Sequence, residues 1–352
     1  MAPWRLTADD LRLLALAVPN TVSNLSTPLL GLVDSVVAGH LPDPAALGGM
    51  ALSLAVFNPL LFCFTFLRKS TVGLTAQAFG AKDVLEVRAM ACRSICMGLF
   101  LGCALLALRS YIRQAYGLLG ADDATVAQAL LYYDTRILGM PAALANFAVQ
   151  GWLLGVQASR EALLANLVLN LSNAVLCVLL GVACGLGLTG VGLAAALANW
   201  LALAYGLWRV VHLGRSGPLS SASPLGVQVL LQADVLQRLL ALNSTIFVRS
   251  LCITGMGAAF TVLSARLGRA VLAADNLLMQ MQMLVSFGTD GFANAAEVLV
   301  GEAVGASDPQ LLRTAVYSAS KLAAAVAALF TALYVFAGQA LLRGFTAHVD
   351  VL

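Results

Sequence analysis

Long apolar runs dominate the chain, and only short polar breaks interrupt them. A helix that crosses the hydrocarbon core of a bilayer needs about 20 mostly apolar residues. Nine stretches meet that need: 11–38, 46–67, 88–108, 126–156, 162–184, 188–211, 236–264, 270–300 and 314–342. Helices are expected throughout, because lipid cannot satisfy open backbone N–H and C=O groups. The breaks carry the residues that stop helices: His40 to Pro44, Gly80 to Asp83, Gly120 to Asp123 and Gly185 to Gly190. The longest break, 214–235, is rich in Ser, Gly and Pro and reads as a linker. It divides a six-helix unit (1–213) from a three-helix unit (236–352), so the pattern predicts an all-α polytopic membrane protein.

Composition strengthens that reading. Charged residues make up 11% of the chain, against about 25% in an ordinary soluble domain, too few to cover the surface of a soluble protein of this length. The net charge of +3 gives no reason to expect nucleic acid as a partner. The seven cysteines lie almost entirely inside apolar runs, and none forms a C-x-x-C pair, so they read as small packing residues. Arg5, Asp9 and Asp10 lead directly into the first run without a small-residue cleavage site, so that run is expected to be a retained helix. With the N-terminus placed in the cytoplasm, the inside ends and loops hold 14 Lys and Arg residues, Arg68 and Lys69 among them, and the outside holds 6. That bias favours a cytoplasmic N-terminus.

An internal repeat adds organisation. Gln77, Gly80, Ala81 and Asp83 at the end of the second span recur as Glu302, Gly305, Ala306 and Asp308 at the end of the eighth, at a constant offset of 225 residues. Each copy follows two spans and precedes another. Two homologous halves related by duplication are common in secondary transporters.

The most specific stretch begins at Pro19-Asn20 and reads SNLSTPLLGLVDSVVAGHL (23–41), then FLRKSTVGLTAQAFGAKD (66–83). Further runs are GMPAALANFAVQGWLLGVQASR (139–160), LVLNLSNAVL (167–176), GVGLAAALANW (190–200) and TDGFANAAEVLVGEAVGASD (289–308). Together they resemble the MATE family of multidrug and toxic compound extrusion transporters, in its DinF-like branch, over nearly the whole chain. The resemblance implies twelve helices in two six-helix lobes around a V-shaped cavity, with organic cations or amphipaths exported against an inward flow of H⁺ or Na⁺. On that reading about nine helices are present, the first lobe complete and the second partial. Asp350 to Leu352 read as the lead-in to a further helix, and the chain alone is expected to be poorly coupled. The resemblance also implies a bacterial inner-membrane location.

Asp34 is the leading candidate for chemistry. It lies in the first span between apolar neighbours, where an ionisable group is costly and normally functional. It matches the family's first-helix acid, whose protonation the resemblance links to substrate release; an interfacial packing role is the alternative. Pro19 matches the family proline near which this helix bends, and Pro28 lies in the same span. Asn173 matches the fifth-helix Asn that partners the acid. One turn on, where the family usually carries a second Asp, this chain has Cys177, and that departure thins the coupling network. Asn24, Asn170 and Asn199 are cavity residues or interhelical glue. Asp275, Asp290 and Glu297 recur in the eighth span; Asp290 and Glu297 are seven apart and so share a helical face, and they are candidates for a cationic-substrate site, or for charge near a helix end or packed at the lobe interface. Met279, Met281, Met283 and Phe287 are an adaptable wall or ordinary core.

No nucleophile triad, P-loop or metal-ligand cluster stands out, so neither enzymatic activity nor an ATP partner is expected, and transport would be secondary, with H⁺ or Na⁺ as coupling ion and no other cofactor. Two alternatives stay open. One is a lipid-linked precursor flippase of the same superfamily, which would be expected to place basic residues in its cavity; acids and amides at depth argue against it. The other is a non-transporting remnant.

Overall fold

A computed structural model describes residues 6–118, 120–215, 226–230 and 232–345. Most of the linker and the last seven residues, including Asp350 to Leu352, lie outside the described residues.

The described chain is helical. Helix α1 covers Ala8–Gly39, α2 Ala45–Cys63, α3 Phe66–Gly80, α4 Val84–Ala107, α5 Arg109–Ala115, α6 Asp123–Arg136, α7 Met140–Gly155 and α8 Ser159–Leu176. A π-helical turn, Cys177–Ala183, extends α8. Then follow α9 Gly187–Arg215, α10 Val227–Leu230, α11 Ala233–Leu267, α12 Arg269–Gly305 and α13 Pro309–Phe345. Helices α2 and α3 join end to end, as do α6 and α7, so nine long segments traverse the molecule and match the nine predicted stretches. Seven are long and apolar enough to cross a membrane. The first and eighth, α1 and α12, are not among those seven; they carry Asp34, Asp275, Asp290 and Glu297.

One boundary needs correction. The second stretch was expected to end at residue 67, leaving Arg68 and Lys69 in a cytoplasmic loop. After a single turn at Phe64–Thr65 the helix continues to Gly80, and the span is Ala45–Gly80. Arg68 therefore stands 12 residues, about 18 Å, inside that end of the helix. A drop in hydropathy ended the predicted span, whereas the backbone hydrogen bonds run on.

The beginnings of α1 and α11 and the ends of α3 and α12 lie together, here called the near end. There the repeat becomes a structural fact. Lys82 (φ 57°) and Ser307 (φ 52°) hold left-handed conformations that stop α3 and α12. Asp83 N–H donates to the Ala78 carbonyl and Asp308 N–H to the Ala303 carbonyl, at 3.0 and 3.1 Å. The Asp83 carboxylate then accepts from Glu86 N–H to start α4, and Asp308 accepts from Gln310 and Leu311 N–H to start α13. Gly80 packs on the backbone of Glu302, and Gly305 packs on the backbone of Gln77. The two copies thus face each other reciprocally across a local pseudo-two-fold, and a Cβ at either glycine would run into the opposite main chain.

Within the first six spans, α4 packs on α7, α3 on α7, α2 on α6, and α8 and α6 on α9. Helix α1 lies between α8 and α12. The main core gathers Leu13, Val149, Trp152 and Leu153 with Val298 and Leu299 of α12. Helices α11 and α13 expose much of their apolar surface, Phe336 and Val335 most fully, as lipid-facing helices do.

Candidate functional site

The α1–α8 interface is a ladder of side-chain hydrogen bonds. Asn166 Nδ2 donates to Ser23 Oγ. One turn along, Asn170 Nδ2 donates to Ser26 Oγ at 2.7 Å, and Ser26 Oγ donates to the Ser23 carbonyl. At the far end Asn173 Nδ2 donates to Asp34 Oδ1 at 2.8 Å. Gln150 on α7 extends the ladder sideways through a 2.9 Å bond to Asn166 Oδ1. Residues three and four apart share a helix face, which is why 166, 170 and 173 form one edge. Asn170, a candidate cavity residue, is therefore occupied in joining two helices.

Asp34 is buried, five residues before α1 ends at Gly39. It thus lies in the far half of its helix rather than midway. Cys177 is buried in one cluster with Val37 and Ala38 of α1 and Tyr132 of α6. It opens the π-helical turn, a distortion frequent at functional sites. Helix α6 supplies two groups that sequence reasoning missed. Tyr132 is buried beside Asp34, and the Arg136 guanidinium donates to the Tyr132 hydroxyl with its charge facing Asp34. Arg136 lies over the rings of Phe57 and Tyr132, 5.0 and 5.3 Å from their centroids. The i, i+4 spacing of Tyr132 and Arg136 was readable, but nothing local linked it to α1. Asp34 thus has a neutral donor and a cation around it. Asn173 Oδ1 is buried without a hydrogen-bond partner among the described residues, so the site holds a spare acceptor.

The remaining candidates fall elsewhere. Pro19 sits within an uninterrupted α1, beside the Ala17–Thr21 segment on which Gly291 of α12 packs closely. Helix α1 also runs through Pro28, whose side chain lies outside the described residues. Asn199 is tied within its own region: its amide donates to the Ala195 carbonyl, and its carbonyl accepts from Asn146 at 2.9 Å. Asn24 is partly buried with its amide nitrogen unpaired among the described residues. Asp275 accepts from Ser264 at the α11–α12 hairpin. Glu297 is half-buried against Gly73 of α3, whereas Asp290 is exposed. Met281 lines a cavity of about 550 Å³ with Leu278, Gln282, Val285 and Tyr334, whereas Met279 and Met283 are exposed. Among the described residues no group of His, Cys, Asp and Glu could hold a metal ion.

A helical bundle with seven segments long and apolar enough to cross a membrane, and with an internal duplication, is that of a polytopic membrane protein. Comparison with known proteins places it further. The MatE family model matches residues 19–179 and 245–352. The chain is 36% identical to DNA damage-inducible protein F of Escherichia coli K12, covering 98% of this chain and 75% of that one. It is 27% identical to a probable multidrug resistance protein NorM of Synechococcus, covering 86% and 65%. A MATE protein solved in a straight conformation superposes with a TM-score of 0.84 at 21% identity, covering 97% of this chain and 77% of that one. The chain belongs to the MatE family.

Proposed function

We propose that this protein is a secondary antiporter that exports organic cations or amphipathic drugs in exchange for protons, with Asp34 as the coupling acid. The bond between Asn173 and Asp34 is the observation that carries the reading. An ionised Asp34 is a full acceptor for the Asn173 amide and attracts Arg136. Protonation removes that attraction and weakens the bond, because a charge-assisted hydrogen bond is about twice as strong as a neutral one. The end of α1 is then held less firmly to α8, and Pro19, which leaves one backbone hydrogen bond unmade, is where the helix bends. Names of relatives that include multidrug resistance support a drug-like substrate. No step in this scheme requires ATP.

Protons suit the site better than Na⁺. Cys177 replaces a second carboxylate, and Arg136 already places a fixed cation beside Asp34. A compact Na⁺ site wants several oxygen ligands and no neighbouring positive charge.

A bacterial inner-membrane location with the N-terminus in the cytoplasm follows from the family and the basic-residue bias. Removing Arg68 and Lys69 from the inside count leaves 12 (14 minus 2) against 6, so the preference stands. The flippase alternative gains one observation, because Arg68 and Lys69 lie within a helix rather than in a loop. Glu297 of α12 lies against Gly73 of the helix that holds them, however, so that interface is of mixed charge rather than basic.

The test is efflux of a fluorescent organic cation from proteoliposomes under an imposed pH gradient. Wild type should expel the dye, and Asp34→Asn should reduce gradient-driven efflux to the empty-vesicle level. Equal efflux by both proteins would refute Asp34 as the coupling acid.

A further inference from the structure

Two of the six basic residues counted outside, Arg109 and Arg113, stand one turn apart on α5. With Ser110, and with Asp134 of α6, they line an open cavity of about 340 Å³. Two helices fix its depth in the bilayer. Helix α4 starts at the near end and runs 24 residues before it breaks at Leu108, a rise of about 36 Å. Asp134 stands 21 residues from Gly155, a rise of about 32 Å. Helix α7 ends at that glycine, two residues before Gln157, which bonds to Glu302 at the near end. The hydrocarbon core is about 30 Å thick. The cavity therefore lies just past the hydrocarbon, at the level of the lipid phosphates on the side opposite the near end.

Its walls are held from both sides. The Tyr133 hydroxyl donates to the Arg109 carbonyl at 3.0 Å. Tyr116, buried just past the end of α5, packs on Tyr133 with ring centroids 5.3 Å apart and shares a 3.1 Å hydrogen bond with Ser53 of α2. Arg113 is ion-paired with Asp134. Arg109 makes no ion pair among the described residues. Two guanidinium groups against one carboxylate leave the cavity with a charge of +1. With the N-terminus inside, this pair of arginines lies on the side that Lys and Arg usually avoid, so orientation does not account for it. One diester phosphate carries the matching charge, and its oxygens suit the planar fork of a guanidinium. Phe100, Leu108 and Tyr111 on the same stretch of chain are exposed. Their spacing of eight and three residues is that of one helical face, which offers acyl chains an apolar surface.

We propose that this cavity binds the headgroup of an anionic phospholipid, its phosphodiester on Arg109 and Arg113 and its acyl chains along α4. Basic pockets between membrane helices recognise lipid headgroups in this way. Ser110 offers a hydroxyl to the same phosphate. In a zwitterionic choline lipid the ammonium cancels the phosphate charge, and Asp134, already paired with Arg113, has little to offer it. The binding needs no transport step.

Native mass spectrometry of the detergent-solubilised protein, titrated with phosphatidylglycerol or with phosphatidylcholine of the same acyl chains, reads the affinity of the first bound lipid. Wild type should bind phosphatidylglycerol about tenfold more tightly, the size of one charge-assisted hydrogen bond. Arg109→Gln should bring phosphatidylglycerol down to the phosphatidylcholine level, and Arg109→Lys should keep part of the preference. Both variants retain the backbone carbonyl that Tyr133 holds, so their thermal unfolding should match wild type. Asp134→Asn should tighten phosphatidylglycerol binding, because it frees Arg113. Arg266→Gln, in the last turn of α11 on the same side of the membrane, should change nothing. Equal binding of the two lipids by wild type overturns the proposal. So does an Arg109→Gln protein that keeps the preference, or an Arg266→Gln protein that loses it to the same extent, which would mean diffuse charge in place of a site. Displacement of the bound lipid by millimolar inorganic phosphate would overturn the assignment to a lipid.

Discussion

The two copies of the repeat have the same backbone and different side-chain pairing. In each, a glycine meets the opposite main chain, a left-handed residue stops the helix, and an Asp starts the next. The residue three before the glycine differs. Glu302 accepts a two-oxygen ion pair from Arg12 and a bond from Gln157. Its counterpart Gln77 accepts a single 2.9 Å bond from Arg238, the residue that corresponds to Arg12 within one position of the 225-residue offset. Duplication supplied two equivalent clasps, and only one became ionic. The backbone had no freedom to diverge, because any Cβ at Gly80 or Gly305 collides. The side chains at a partly solvated rim were free to change.

Breaking the shared backbone element should have the largest effect. Gly80→Leu and Gly305→Leu each force α3 and α12 apart and should cost about 3 kcal/mol by the usual scale of overpacking. Thermal unfolding in detergent should show both variants destabilised alike, and a harmless substitution at one of them would end the symmetry argument.

The clasps themselves should separate. Arg12→Ala removes an ion pair whose partners are 40% and 16% exposed, so screening limits the cost to about 1 kcal/mol. Arg238→Ala removes one exposed bond from a guanidinium to an uncharged amide and should cost less, about 0.3 kcal/mol. Equal losses would mean that the charge at Glu302 contributes nothing.

Adding the missing charge sharpens the same comparison. Gln77→Glu should stabilise the protein by about 0.5 kcal/mol through Arg238, and the gain should fade in high salt. A gain that salt leaves untouched would point to packing instead.

The smallest effect concerns pH. At the start of α1, Lys321 donates to Asp10 Oδ2 at 2.6 Å and Thr7 N–H donates at 2.8 Å. The Lys321 bond first, and then the Thr7 bond, hold the Asp10 carboxyl well below the usual carboxylate range. A depressed folded value means that the stabilisation is complete above the unfolded value of about 3.9 and fades as pH falls toward the folded one. The destabilisation of Lys321→Ala relative to wild type should therefore be constant between about pH 8 and pH 5 and shrink only in stronger acid. A difference that collapses near neutrality would show that Asp10 is not the partner that matters.

The sequence by itself determined the number and place of the nine long segments. Lipid imposes a length of apolar chain that few other structures need, and Gly, Pro and Asp mark where it stops. The repeat was legible for the same kind of local reason: a left-handed stop followed by an Asp cap is written in four consecutive residues. Asp34 stood out because its neighbours are apolar. Pairing between helices was not legible. Nothing near residue 34 announces that Tyr132 and Arg136 of α6 stand beside it, or that Ser23 and Ser26 meet Asn166 and Asn170, because those contacts depend on which faces the bundle turns inward. Arg68 was misplaced because hydropathy registers the cost of a charge and ends the span there, whereas the helix runs on through it to Gly80. The pattern of transfer free energies along one chain decides what enters the membrane, and only packing among helices decides which polar groups find one another there.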